Sequence, residues 1–232
     1  VFVIFANASF AQNYNMNIKK TDNSTTTILT SDISEITFTW VCGTNNISYA
    51  GQTYNTVLIG SQCWLKENLN VGTRIDGIIN QTSNSTIEKY CYSDLETNCD
   101  TYGGLYQWNE AMQYVATAGT QGICPTGWHI PTETEFQTLG TTVTNNSNAL
   151  KAIGQGSGSG IGTNTSGFSA LLAGGRGHNG GFVSFGDDAS FWSSTEYNTS
   201  DANYLYLHYN NTNLYFNSYE KITGFSVRCL KD

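Results

Sequence analysis

The sequence predicts an α+β domain: two helices packed against small, twisted antiparallel sheets, with much of the chain in long ordered loops. Three observations lead there. Helix signals occur at only two places. Apolar–polar alternation recurs in short runs bounded by turn residues. Polarity comes from Asn, Ser, Thr and Tyr, since charged residues make up only 12% of the 232 while aromatics reach 13%, with 24 Gly and 2 Pro. Such a composition suits strands and ordered loops better than helical bundles.

The stronger helix signal follows Cys124-Pro125-Thr126-Gly127-Trp128-His129-Ile130-Pro131. Thr132 and Glu135 form a Thr-x-x-Glu capping box, and Glu133 adds favourable charge at the start. Phe136, Leu139 and Val143 then recur at three- and four-residue spacing, which predicts a helix over about 132–143 facing a core. Pro131 either sets φ for the first turn or ends the strand before it. Leu105, Trp108 and Met112 give the second signal, a helix over about 105–115.

Strands are expected on either side. Val57–Ile59 alternates behind a Gly51-Gln52-Thr53-Tyr54 turn, Cys63-Trp64-Leu65 carries heavy apolar residues, and 72–88 reads as a polar surface loop. Gly224–Cys229 alternates near the far end. Residues 203–210 and 214–219, joined through Asn-Asn-Thr-Asn, read as a hairpin with Leu205 and Leu207 inward and Tyr204, Tyr206 and His208 on the opposite face.

Compartment follows from the ends and the cysteines. Residues 1–11 read as the remnant of a signal peptide with a small-residue cleavage site after Ala11. Six cysteines, none in a C-x-x-C spacing, fit an oxidising compartment. The net charge of −8 and pI near 4.7 argue against nucleic acid as a partner. No apolar run reaches the ~18 residues of a membrane span. Residues 12–40 read as a small hairpin appendage, Tyr14–Lys20 and Thr25–Leu29 around Thr21-Asp22-Asn23-Ser24, followed by Ser31–Phe38. This segment resembles the short elements that precede secreted Bacteroidetes domains.

Enzyme chemistry finds little support. His129, His178 and His208 follow no metal-ligand spacing. No G-x-S-x-G elbow occurs, and the Gly/Ser-rich stretch 154–166 lacks the Gly-Lys-Ser/Thr of a phosphate loop. Four acids, Asp187, Asp188, Glu196 and Asp201, fall within fifteen residues, with Asn198 and Asn203 between and beside them. They are candidate calcium ligands, the alternative being ordinary turn acids. The densest candidate surface is Tyr197, Asn198, Asn203, Tyr204, Tyr206, His208, Asn213, Tyr215, Asn217 and Tyr219. Tyr supplies contact area at low rotamer entropy and Asn supplies adaptable hydrogen bonds, so this set is expected to bind an extracellular protein or glycan.

Five blocks carry a family resemblance: Gly51-Gln52-Thr53-Tyr54, Cys63-Trp64-Leu65-Lys66-Glu67-Asn68-Leu69, Tyr102-Gly103-Gly104-Leu105-Tyr106-Gln107-Trp108, Cys124–Pro131 and Gly224-Phe225-Ser226-Val227-Arg228-Cys229. With Phe191-Trp192-Ser193-Ser194-Thr195-Glu196, they resemble the Fibrobacter succinogenes major paralogous domain over residues 48–232. The resemblance implies a bacterial, secreted or surface-bound domain of C-type-lectin-like fold, related to the formylglycine-generating architecture. It implies no activity. A thiol enzyme of that architecture would need paired active cysteines near the end of the chain, where this one has only Cys229. Six cysteines allow fifteen pairings. The lectin-like resemblance and proximity in sequence favour Cys124–Cys229, Cys91–Cys99 and Cys42–Cys63. The functional expectation is a non-catalytic recognition domain; the alternative is a structural, surface-display protein whose domain packs in an extracellular assembly.

Overall fold

The computed structural model describes residues 15–19, 23–29 and 40–232. The expected leader and Ser31–Phe38 lie outside them, as do Tyr14 and Lys20–Asp22 of the expected hairpin. The chain divides into two compact units, one reaching Val41 and the other Cys42–Asp232. In the first, Asn15–Lys19 pairs antiparallel with Thr25–Leu29. No helix among the described residues is long and apolar enough to cross a membrane.

The second unit is α+β, with small antiparallel sheets and few helices. One sheet runs Trp128–His129, Leu230–Lys231, Gln62–Leu65, Thr56–Ile59, so the last strand lies between one from early in the chain and one from its middle. Another runs Phe182–Val183, Gly175–Arg176, Gly224–Phe225, Tyr106–Gln107. The longest strands form a three-stranded sheet of Asp188–Glu196, Asp201–His208 and Leu214–Glu220.

Three helices, α1 (Glu96–Tyr102), α2 (Trp108–Ala111) and α3 (Glu133–Thr142), replace the two expected. The α3 prediction holds in detail. Thr132 caps it, the Glu135 N–H donating to the Thr132 hydroxyl while Glu135 returns a carboxylate to the Thr132 N–H. Pro131 therefore ends the preceding strand. The helix over 105–115 shrinks to the single turn α2, because Tyr106–Gln107 is recruited as a strand against Gly224–Phe225 and Gln113 and Tyr114 adopt positive φ. Helix α1 was not foreseen. Its sequence ETNCDTY buries only Cys99 and so carries no apolar stripe. The alternating run 224–229 is likewise a strand only at Gly224–Phe225; beyond it Ser226 bridges Phe191, and the Val227 and Cys229 carbonyls accept from the Leu69 and Leu65 N–H groups. The 72–88 segment is largely exposed, yet Gln81 is buried and Thr73–Arg74 pairs in parallel with Glu88–Lys89.

The core joins α3 to the long sheet. Phe136 and Leu139 meet Leu205, Leu207 and Phe191, with Trp64 stacked on Phe136 and edge-on to Phe168 at centroid distances of 5.5 Å. The sequence blocks interlock around it. Trp192 Nε1 donates to the Tyr106 carbonyl and Trp108 Nε1 to that of Ser193, both at 2.8 Å. The fully buried Arg228 donates to Asn68 Oδ1 and to the carbonyls of Leu65 and Phe168, and lies over the Phe168 ring. Asn68 Nδ2 donates in turn to the Tyr102 carbonyl. Disulfides Cys42–Cys63, Cys91–Cys99 and Cys124–Cys229 are all present, as expected.

Candidate functional site

Strand register decides which predicted residues share a surface. Tyr204 sits opposite Trp192 and Asn217, Tyr206 opposite Ser190 and Tyr215, and His208 opposite Asp188. Ala202 sits opposite Tyr219. Cross-strand partners point the same way, so these residues form one face of the long sheet. Leu205, Leu207, Leu214 and Phe216 occupy the other face, against α3.

The face is an aromatic ladder. Tyr206 packs at 5.4 Å from Tyr215 and 6.1 Å from His208, and Tyr204 at 6.2 Å from Tyr206, Tyr219 and Trp192. Phe225 closes one edge, stacked on Tyr204 at 4.9 Å. Exposure rises outward from this anchor: Trp192 is buried, Tyr204, Tyr206 and Tyr215 are half-buried, and Asn217 and Tyr219 are exposed.

Polar contacts fix the rings. Tyr206 donates to Asp188 Oδ1 at 2.9 Å, and burial together with that carboxylate pushes its phenol pKa up. Burial also raises that of Tyr204, which hydrogen-bonds Asn217. Asn213 Nδ2 donates to the Tyr215 hydroxyl at 3.0 Å. The rings present their edges and hydroxyls to whatever lies above them.

Several expected members fall elsewhere. Asn203 shares the Leu205 face, where its amide donates to Glu133 Oε2 of α3 at 2.6 Å; it serves the fold, as strand alternation requires. Asn198 closes the turn between the first two long strands, its Oδ1 accepting from the N–H groups of Ser200 and Asp201. Tyr197 stands beside it, 65% exposed, at the end of the sheet away from His208 and Asn213. The four acids do not assemble either. Asp188 and Glu196 end the same strand, roughly 26 Å apart at ~3.3 Å per residue, so Asp187 and Asp188 cannot share an ion with Glu196 and Asp201. Glu196 instead pairs with Lys221, whose ammonium lies 4.6 Å over the Trp108 ring. Among the described residues, the one group of three His, Cys, Asp or Glu side chains whose ligand atoms all lie within 4.8 Å of one another is Cys91, Glu96 and Cys99, and those cysteines are disulfide-bonded.

Ser190, Trp192 and Phe225 belong to the face and were missed as site residues, and Asp188, expected as a calcium ligand, joins them there as the acceptor of Tyr206. Alternation across the hairpin gives two of its strands. The third comes from pairing between 188–196 and 201–208, and Phe225 from a different sheet. His129, the other polar cluster of note, is structural: its Nδ1 meets Asp232 at 2.7 Å and its Nε2 meets Glu135 at 3.1 Å. Clefts of 640 Å³ between Gln107 and Lys221, and of 370 Å³ above Asn68 and Arg228, lie apart from the tyrosine face.

Fold and face together define a disulfide-braced α+β domain that presents an aromatic sheet surface. Residues 57–231 match the model of the Fibrobacter succinogenes major domain, and the chain belongs to that family. No curated protein and no solved structure matches it.

Proposed function

We propose that this is an exported, non-catalytic recognition domain of C-type-lectin-like fold that binds a protein or glycan through the tyrosine face of its long sheet. One observation carries the proposal: Tyr204, Tyr206, Tyr215 and Tyr219 are brought by register onto one side of the sheet and left partly open. Rings already held by neighbours lose little entropy on binding, and their hydroxyls supply direction. The open sheet surface favours a protein over a sugar, which would gain more from a concave site. Three disulfides support export, since they persist in oxidising compartments.

Protein and glycan arrays probed with the purified domain test this directly. Hits are expected that disappear with Tyr206→Ala plus Tyr215→Ala and survive chelation of calcium. Hits that survive the double substitution would move the site elsewhere. Absence of hits, with assembly of the domain into oligomers, would favour the surface-display role instead.

A further inference from the structure

The turn joining the last two long strands, 208–213, is gripped in an unusual way. Five successive carbonyls accept hydrogen bonds from one other segment. His208 O accepts from Lys151 Nζ at 2.9 Å, Tyr209 O from Ser157 N–H at 2.8 Å and Asn210 O from Ser159 Oγ at 2.8 Å. Asn211 O accepts from Lys151 Nζ at 2.9 Å and Ser147 Oγ at 3.1 Å, and Thr212 O from Ser147 N–H at 2.8 Å. Every donor lies between Ser147 and Ser159. The Gly/Ser-rich stretch thereby acquires a role: a Cβ on Gly160 would sit 2.1 Å from the Tyr209 carbonyl, and one on Gly156 2.6 Å from it.

Carbonyl oxygens are the same whatever side chain the residue carries, so this grip is blind to sequence in the turn. Within it, two side chains are committed to the fold. Tyr209 packs against the core, and Asn211 Oδ1 accepts from the Asn213 N–H at 2.9 Å. Asn210, Thr212 and Asn213 are exposed, and His208 is half-buried at the border of the tyrosine face. His208 Nδ1 contacts Asn210 Oδ1, and Asn213 contacts Tyr215, so the turn and the face are continuous.

We propose that 208–213 is a display turn: a backbone clamped from beneath, whose outward side chains His208, Asn210, Thr212 and Asn213 determine which protein surface the adjoining face accepts. This rests on the recognition role of that face. The partner it fits is a polypeptide surface offering both donors and acceptors, because Asn and Thr present both and carry no charge.

The test compares changes in the turn with changes in the clamp, using the whole domain. Replacing His208, Asn210, Thr212 and Asn213 together by Ser is expected to leave the melting temperature within about 3 °C, the shift of roughly one broken interaction in a domain this size. Gly160→Ala and Lys151→Met are expected to lower it by more than that, and the milder Ser159→Ala by about 2–4 °C. On the arrays, the turn variant is expected to lose its protein hits at least tenfold. Unfolding of the turn variant, or indifference to all three clamp substitutions, overturns the clamp. A folded turn variant that keeps its hits overturns the specificity role while leaving the sheet-face reading intact. Hits confined to glycans overturn the polypeptide partner. If the parent domain shows no hits, the sheet-face reading fails and the specificity role with it; melting alone then decides the clamp.

Discussion

The interlocked blocks around Arg228 and the tyrosine face of the long sheet use similar residues in opposite ways. Around Arg228, polar groups are consumed by the fold: Asn68 binds both the guanidinium and the Tyr102 carbonyl, and two tryptophans exchange hydrogen bonds with each other's segments. On the face, aromatic and amide groups are held by their neighbours but keep an open side. Residues that identify the family are therefore spent on building it. Membership thus defines an architecture, while the proposed binding face lies outside most of those blocks. Phe225 and Trp192 join the two regions, standing in the blocks by sequence and under Tyr204 in space.

Breaking the interlocked region should cost most. Cys124–Cys229 spans 105 residues, and removing it as a Cys124→Ser, Cys229→Ser pair is expected to destabilise by about 4–5 kcal/mol, an upper figure from chain entropy. Urea unfolding of the pair variant measures it; a midpoint unchanged from the parent would mean that the strands around Trp128 and Leu230 are held by other contacts. Next in size is Asn68→Ala, which strips the oxygen that accepts two hydrogen bonds from a buried guanidinium. Its expected cost is about 2–4 kcal/mol, as for losing hydrogen bonds to a buried charge.

Smaller effects attend the start of α3. Thr132→Ala removes its cap and should cost about 1 kcal/mol. The same corner should make stability pH-dependent. The hydrogen bond that His129 donates to Glu135 and, secondarily, the one to Asp232 outweigh burial and raise the His129 pKa. A raised histidine pKa means that the folded state binds the proton more tightly. The contribution is therefore complete below the unfolded value of about 6.5 and fades as pH climbs through the folded one. Burial opposes ionisation of Glu135, but its bonds to His129 and Thr132 prevail and lower its pKa, so its share is lost only in acid. Chemical denaturation from pH 5 to 9 should show the first loss in wild type and not in His129→Gln.

How much of this was legible depended on how local the cause was. Thr132 and Glu135 announce a helix because capping is settled within four residues. The alternation of Leu205 and Leu207 with Tyr204 and Tyr206 announced the two faces for the same reason. Helix α1 was hidden because seven residues with one buried side chain leave no periodic trace; the Cys91–Cys99 bond and adjoining segments hold it. The helix expected at 105–115 failed for the converse reason. Leu105, Trp108 and Met112 are all buried, but pairing with Gly224–Phe225 claims part of the run as strand. The acids from 187 to 201 looked like a cluster because sequence distance is not spatial distance along an extended strand. The grip on 208–213 was invisible too: its acceptors are backbone carbonyls, which leave no mark on the sequence they belong to.

The smallest stability effect is the sharpest test of the contrast. Tyr215 and Tyr219 lie on the strand farthest from the buried Trp192, and Tyr219 is 45% exposed. Truncating a well-packed core aromatic costs about 3–5 kcal/mol, whereas surface changes remove little packing and usually stay within about 0.5 kcal/mol. Tyr215 is intermediate, since it packs on Tyr206 and receives the Asn213 amide. Its loss should therefore cost about 0.5–1.5 kcal/mol, the worth of one aromatic pair. Tyr219→Ala should fall near the surface figure. Both variants should keep the parent's disulfides and circular dichroism while weakening array hits, because contact area at a binding face is worth more than its modest share of folding. A Tyr219→Ala variant that unfolds would show that the face is core in the making. One that folds and binds as before would move the ligand toward the half-buried rings or the 208–213 turn.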